Sequence, residues 1–227
     1  MSLIFPRLST VARRLLAVCA ATAVLTGCAG QPPALPAGLA QRVEIGSVPF
    51  YRGYANHSGA MALAALLTQQ GVQITPGMLD APLGLPEAAD RLQTRIPPVA
   101  RDHGLVVYPL DPSLDALLVQ VSAGNPVLLS YREGTAWWGE PRYALLIGYD
   151  AYKRHVLLRS GMNRRQLMDF DAFTQAWAKE GSWAVLVQPP ARPAAQVDRQ
   201  RWLQAADELA RAGQERAAHQ AVSSLDR

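Results

Sequence analysis

Cysteine is almost absent from this sequence. There are two among 227 residues, Cys19 and Cys28, both ahead of the first segment able to build a core. The body of the chain has no pair to form a disulfide and no thiol to act as nucleophile or metal ligand. Histidine is nearly as scarce. His57, His103, His155 and His219 stand singly, with no H-x-x-H or E-x-x-H spacing, so the sequence offers no metal centre and asks for no cofactor. Neither sign of charge dominates. The 22 basic residues face 18 acidic ones, and Arg7, Arg13 and Arg14 fall in the first 27 residues, where there is no acid. The remainder is close to neutral, and nothing in it calls for a nucleic acid. No apolar run reaches the roughly 20 residues that span a bilayer as a helix. What is present is 49% apolar and 18% charged residues. That composition suits a globular chain with a substantial core, and the length suits one domain plus an appendage.

The first segment has its own pattern. Arg13 and Arg14 precede "LLAVCAATAVLTG", a short apolar core ending in small residues. A positive start, an apolar core and a small-residue end are the parts of a secretory signal peptide, here residues 1–27. The run closes on L-T-G-C, residues 25–28, which resembles the lipobox of bacterial lipoproteins. That resemblance implies acylation of Cys28 and a membrane anchor worth ~0.8 kcal/mol per buried CH₂. Ala29 follows, in place of the Asp that commonly retains lipoproteins at the inner membrane. The resemblance therefore implies the outer membrane, facing the periplasm. Residues 28–41, rich in Pro and Ala, read as a tether. With Cys19 removed and Cys28 lipidated, the mature chain carries no free thiol.

The body reads as α+β. "RVEIGSVPFYRGY" (42–54) is extended. "SGAMALAALLTQQ" from Ser58 is apolar on nearly every side, which predicts a buried helix ended by Gly71. A turn-rich stretch with a short helix follows. Residues 87–103 predict a helix interrupted around Pro97 and Pro98. A strand falls in 104–110, and Asp111, Pro112 and Ser113 start another helix. "NPVLLSYRE", "PRYALLIGYD", "HVLLRSG" and "RQLMDF" read as strands, "DAFTQAWAKEG" as a capped helix, and "GSWAVLVQPP" as a last strand. The order predicts an early buried helix on a mostly antiparallel sheet over residues 42–190. Residues 191–197 form a second linker. In 198–227, Trp202, Ala206 and Leu209, then Ala217, Ala221 and Leu225, make two apolar faces broken at Gly213. That resembles a single tetratricopeptide-like hairpin, which must dock on the domain, on another copy or on a partner. A C-terminal amphipathic helix without a partner is the alternative.

Three strings, "VPFY…SGAMALAALL", "PRYALLIGYD" and "HVLLRSG", together with the element order, resemble the papain-like bacterial peptidases that cut double-glycine leaders, family thirty-nine of the cysteine peptidases. The resemblance implies a papain-like fold. It also assigns positions. The family's Cys, which opens the helix where exposed N–H groups lower its pKa, falls on Ser58. Its oxyanion Gln falls near Arg52 or Gly53, its His on Arg142, and the Asp or Asn that orients the His on Ser160. Every one of these departs from the family pattern. Arg142 stays protonated and is no base. His57 is adjacent to Ser58, and neighbours on an element do not face each other. Ser58 is expected to serve instead as a helix N-cap, accepting an N–H of the first turn.

A cleft remains. Tyr51, Tyr54 and His57 are expected on one side, with Trp137, Trp138 and Arg142 of "TAWWGEPRY" on the other. Aromatics with an Arg suit a peptide-binding rim. An alternative is that they cover the edge of the core. The sequence therefore predicts a periplasm-facing lipoprotein whose degenerate peptidase-like domain binds a peptide or protein segment without cleaving it. The alternatives are an active hydrolase using Ser58, and an envelope scaffold acting on a protein partner through its C-terminal helices.

Overall fold

A computed structural model describes residues 38–133 and 139–226. The elements in chain order are β1 (Arg42–Glu44), α1 (Ser58–Gln69), α2 (Pro76–Leu83), α3 (Leu92–Asp102), β2 (Val106–Pro109), α4 (Leu114–Ser122), β3 (Val127–Tyr131), β4 (Arg142–Asp150), β5 (His155–Ser160), β6 (Asn163–Asp169), α5 (Phe170–Ala178), β7 (Ala184–Gln188), α6 (Arg199–Arg211) and α7 (Glu215–Ser223). This is the α+β layout the sequence predicts.

Helix α1 is the axis of the core. Ten successive residues, Ser58 to Leu67, are buried, as an all-round apolar sequence requires. Its small residues allow close approach. A Cβ added to Gly59 would meet Leu92 Cδ1 at 2.6 Å, so a larger residue here would displace the Leu92 side chain of α3. The helix stops where predicted. Gly71 takes φ +88°, and its N–H donates to the Thr68 carbonyl at 3.0 Å.

The sheet runs β2-β7-β3-β4-β5-β6, with β1 also paired to β4, and every pairing is antiparallel. Strands β3, β4, β5 and β7 are almost wholly buried. Their sequences accordingly read as continuous apolar runs rather than alternating ones. Register places Tyr131 opposite Arg142 and Ala144 opposite Ser160. Arg142 and Ser160 therefore share one face of the sheet, because side chains alternate with period two. After β1, Ile45 donates to the Ile147 carbonyl at 2.7 Å. The chain then reaches the far end of β5, where the Gly53 N–H donates to the Gly161 carbonyl at 3.3 Å.

One expectation is corrected. Helix α3 runs unbroken through Pro97 and Pro98. Each proline carries a penalty of about 3 kcal/mol in a helix interior. Burial of Leu92, Ile96, Val99 and Ala100 holds the helix against it. The start of α5 also lies two residues earlier than the "DAFTQ" pattern suggests. Its cap is Asp169, whose carboxylate accepts the Asp171 and Ala172 amides. Those bonds hold the Asp169 carboxyl below its usual range. A depressed carboxylate contributes stability above its unfolded pKa and loses it as pH falls through the folded one. Amide protection in the first turn of α5 is thus expected to fall on acidification below the normal carboxylate range, measured by hydrogen exchange.

The C-terminal hairpin docks on the domain. Trp202 of α6 packs against Tyr108 of β2, with ring centroids 5.8 Å apart and the planes tilted by 48°, and the Asp198 N–H donates to the Tyr108 hydroxyl at 3.1 Å. Arg101 pairs with Glu208. The linker is pinned as well. The Gln120 amide donates to the Ala195 carbonyl at 2.8 Å and accepts its N–H at 3.0 Å.

Candidate functional site

Ser58 opens α1 but does not cap it. The cap position is His57, whose side chain makes no capping bond. The Ser58 hydroxyl donates to the Ala55 carbonyl at 2.6 Å and accepts the Tyr143 N–H of β4 at 3.0 Å. The expected N-cap role is therefore wrong. Ser58 already has helical backbone angles, φ −59° and ψ −33°, whereas a capping side chain needs extended backbone to turn back on the first-turn amides. Its oxygen ties the helix to the sheet instead.

This geometry bears on chemistry. Ser58 is 2% exposed, and its one proton is committed to a carbonyl. A serine nucleophile needs a base to take that proton. The described partners of this hydroxyl are both backbone groups. His57 points to α2, with Nδ1 3.4 Å from Asp80 Oδ1.

The other two aligned positions have separate partners. Ser160 is buried, with Oγ 2.9 Å from the Tyr131 hydroxyl. Tyr131 donates to Gln166 Oε1 at 3.1 Å, and Gln166 Nε2 donates to Glu133 Oε1 at 2.6 Å. Burial raises the Tyr131 phenol above its usual pKa, while the bond with Ser160 pulls it the other way. This polar chain leads from Ser160 towards Glu133. Arg142 shares this face of the sheet, opposite Tyr131, and its guanidinium lies over the turn after β5. A Cβ on Gly161 would meet its Nη1 at 3.2 Å, and Gly161 has φ +56°, so crowding and backbone both call for glycine there.

Three of the predicted binding residues do come together. Tyr51, Tyr54 and His57 line one open groove of about 540 Å³, with Phe50, Pro76 and Asp80 among its other walls. Tyr54 is 80% exposed, while the Tyr51 hydroxyl is anchored 3.2 Å from Thr68 Oγ1. Arg142 is not among the residues that line this groove. Trp137 and Trp138 lie outside the described residues. Among the described residues no three of His, Cys, Asp or Glu converge as a metal ion would need.

A smaller, deeper pocket adjoins the groove and shares Phe50, Tyr51 and Met61 with it. Ser58, Tyr143 and Arg159 are on its walls. Sequence reasoning missed both Tyr143 and Arg159. Tyr143 is buried and meets Trp183 edge-on at 5.9 Å. Burial pushes its phenol well above the usual value, against a lowering by the backbone of Gln93. Arg159 had one available signal: it is the single charge in the apolar run "HVLLRSG" of an interior strand.

The chain is similar in structure to a protein described as a C39-like peptidase from Bacillus anthracis, with 16% identity and a TM-score of 0.48 over 65% of this chain and 98% of the other. It is also similar to a double glycine motif protease from an AMS/PCAT transporter, solved in complex with a leader peptide, with 14% identity and a TM-score of 0.45 over 65% and 96%. No protein-family model matches the sequence, and no curated protein does.

Proposed function

We propose that this is a lipid-anchored, periplasm-facing protein whose peptidase-like domain holds an extended peptide or protein segment in the Tyr51–Tyr54–His57 groove without cutting it. One observation carries the non-catalytic half of the reading: the Ser58 hydroxyl donates to a carbonyl, accepts a sheet amide and is sealed from solvent. The binding half rests on the groove, which exposes Tyr54 and sets Arg52, His57 and Asp80 beside aromatic rings. An aromatic side chain with polar neighbours is the usual make-up of a binding hot spot.

Two experiments test it on the full chain. A serine-directed fluorophosphonate is expected to leave the protein unlabelled; labelling that disappears in Ser58→Ala overturns the reading. A pool of random decapeptides is expected to be retained by the protein, with retention about tenfold weaker in Tyr54→Ala. Equal retention by both proteins removes the groove from consideration. The anchor is tested separately. Cys28→Ser is expected to abolish incorporation of labelled palmitate and to release the protein from the outer-membrane fraction of a density gradient. Unchanged labelling refutes Cys28 as the acylated residue.

A further inference from the structure

A further cavity lies where the chain enters the folded body. It measures about 290 Å³, far more than one water fills. Register sets Arg42 opposite Asp150, Asp150 opposite His155, and Leu157 opposite Leu167. Buried Leu157 and half-buried Val43 give the cavity an apolar floor, and exposed Leu167 stands on its rim. Three cations, Arg42, Lys153 and Arg165, face two carboxylates, Glu44 and Asp150. Both carboxylates are engaged. Glu44 Oε2 accepts from Arg165 at 2.7 Å, and Asp150 Oδ1 accepts the Lys153 backbone N–H at 2.9 Å. The Arg42 and Lys153 side chains have no partner among the described residues. The cavity therefore sets two uncommitted cations over an apolar floor. Its place in the chain is also particular. The Ala151 N–H donates to the Gln41 carbonyl at 2.8 Å, so the segment leading back to Cys28 departs beside Tyr152, which is 90% exposed. Cys28 precedes Gln41 by thirteen residues, a reach of at most about 45 Å.

We propose that this cavity receives the headgroup of an anionic phospholipid in the surface that holds Cys28. The proposal rests on the anchored reading above. Arg42 and Lys153 bind the phosphate, the guanidinium through its planar fork and the ammonium as a point charge. Leu157 and Leu167 take the glycerol and the first methylenes of the chains. Tyr152 lies at headgroup level, where an amphipathic ring is favoured. The cations then add an electrostatic hold to the acyl anchor, and anchoring by two signals is the stable arrangement. Tyr143, which bonds Ser58, lies near the other end of β4, about 20 Å along the strand. The groove is thus left clear of the surface.

The test is amine acetylation of the full chain in vesicles of phosphatidylcholine, with or without phosphatidylglycerol. Lys153 and Lys179 are the two lysines of the sequence, so Lys179, at the end of α5, is the internal reference. Phosphatidylglycerol is expected to slow modification of Lys153 relative to Lys179 about fivefold. Arg42→Gln, a change at an exposed position of β1, is expected to restore the rate seen in phosphatidylcholine alone. As a measure that needs no variant, glycerol 3-phosphate, the same phosphate without acyl chains, is expected to give no protection. Equal ratios in the two vesicles or protection kept in Arg42→Gln overturns the site. Protection by glycerol 3-phosphate equal to that by the vesicles overturns the lipid as its source. The anchor can fail separately. If palmitate labels Cys28 but the lysine ratio never changes, the cavity reading falls and the anchor stands. If palmitate never labels the chain, yet phosphatidylglycerol protects Lys153, the anchor falls and the headgroup site stands.

Discussion

Trp202→Ala is expected to lower stability by about 3–5 kcal/mol, the usual cost of emptying a large buried aromatic site, and to release the C-terminal hairpin from the domain. Trp202 is fully buried and does two jobs. Its ring packs on Tyr108 of β2, and its Nε1–H donates to the Ala221 carbonyl of α7 at 2.8 Å. It thus joins α6 to α7 and the pair to the sheet. The ion pairs around it are weaker fastenings. Arg201 reaches Asp111 at 2.7 Å, but the Asp111 side chain is 63% exposed, and exposed pairs are worth at most about 1 kcal/mol. Arg201→Ala is therefore the contrast. Denaturant unfolding measures both, and limited proteolysis within residues 191–197 reports release. A cost under about 1 kcal/mol for Trp202→Ala, with the linker still protected, refutes a docked hairpin. It would also revive the reading in which the tail is a free surface for a protein partner.

Ser58→Ala is expected to destabilise rather than to be silent. The substitution leaves the buried Tyr143 N–H without its acceptor, while the half-buried Ala55 carbonyl loses the hydroxyl but keeps the Ser58 backbone N–H. One buried polar group so orphaned costs about 1–3 kcal/mol. The result separates two roles for this residue. A nucleophile is held ready at some expense to the fold, so its removal is commonly neutral or stabilising. A fastening between helix and sheet has the opposite sign. Equilibrium unfolding of Ser58→Ala against the parent chain reads that sign directly. A variant as stable as the parent would mean that the two hydrogen bonds contribute nothing, and the argument against a reactive serine would lose its main support.

Much of the fold was legible because the signals were periodic or punctuating. Helix α1 announced itself by an unbroken run of apolar and small residues, and Gly71 marked its end. The sheet was legible for a related reason: strands buried on both faces read as continuous apolar runs. Pro97 and Pro98 misled because propensity is local, while the packing of Ile96 and Val99 that overrides it is not. The site was harder. Ser58 could be placed at a helix start, but whether a side chain at that point caps its own helix or reaches a strand 85 residues away depends on tertiary structure alone. The hairpin's apolar face was visible, whereas its partner, Tyr108, lay in a strand that carried no mark of it. The three residues of the groove came together because Tyr51, Tyr54 and His57 sit within one short segment; Arg142, predicted to join them, starts a strand beyond it.

The docked tail has a consequence for how the sheet's borders meet other copies. Strand β2 ends the sheet on one side, and an open terminal strand is a template for another chain's strand. Here α6 lies against it, Pro109 supplies no N–H, and Arg201 reaches the Pro109 carbonyl at 3.5 Å. The opposite border, β6, carries Leu167 at 63% exposure and two adjacent arginines, Arg164 and Arg165. Like charge discourages two such borders from meeting. Clipping the tail is expected to uncover β2 and to offer the charged border of another copy a neutral counterpart, raising association between copies. Sedimentation of the chain ended at residue 197, against the full chain, is the measurement that checks it.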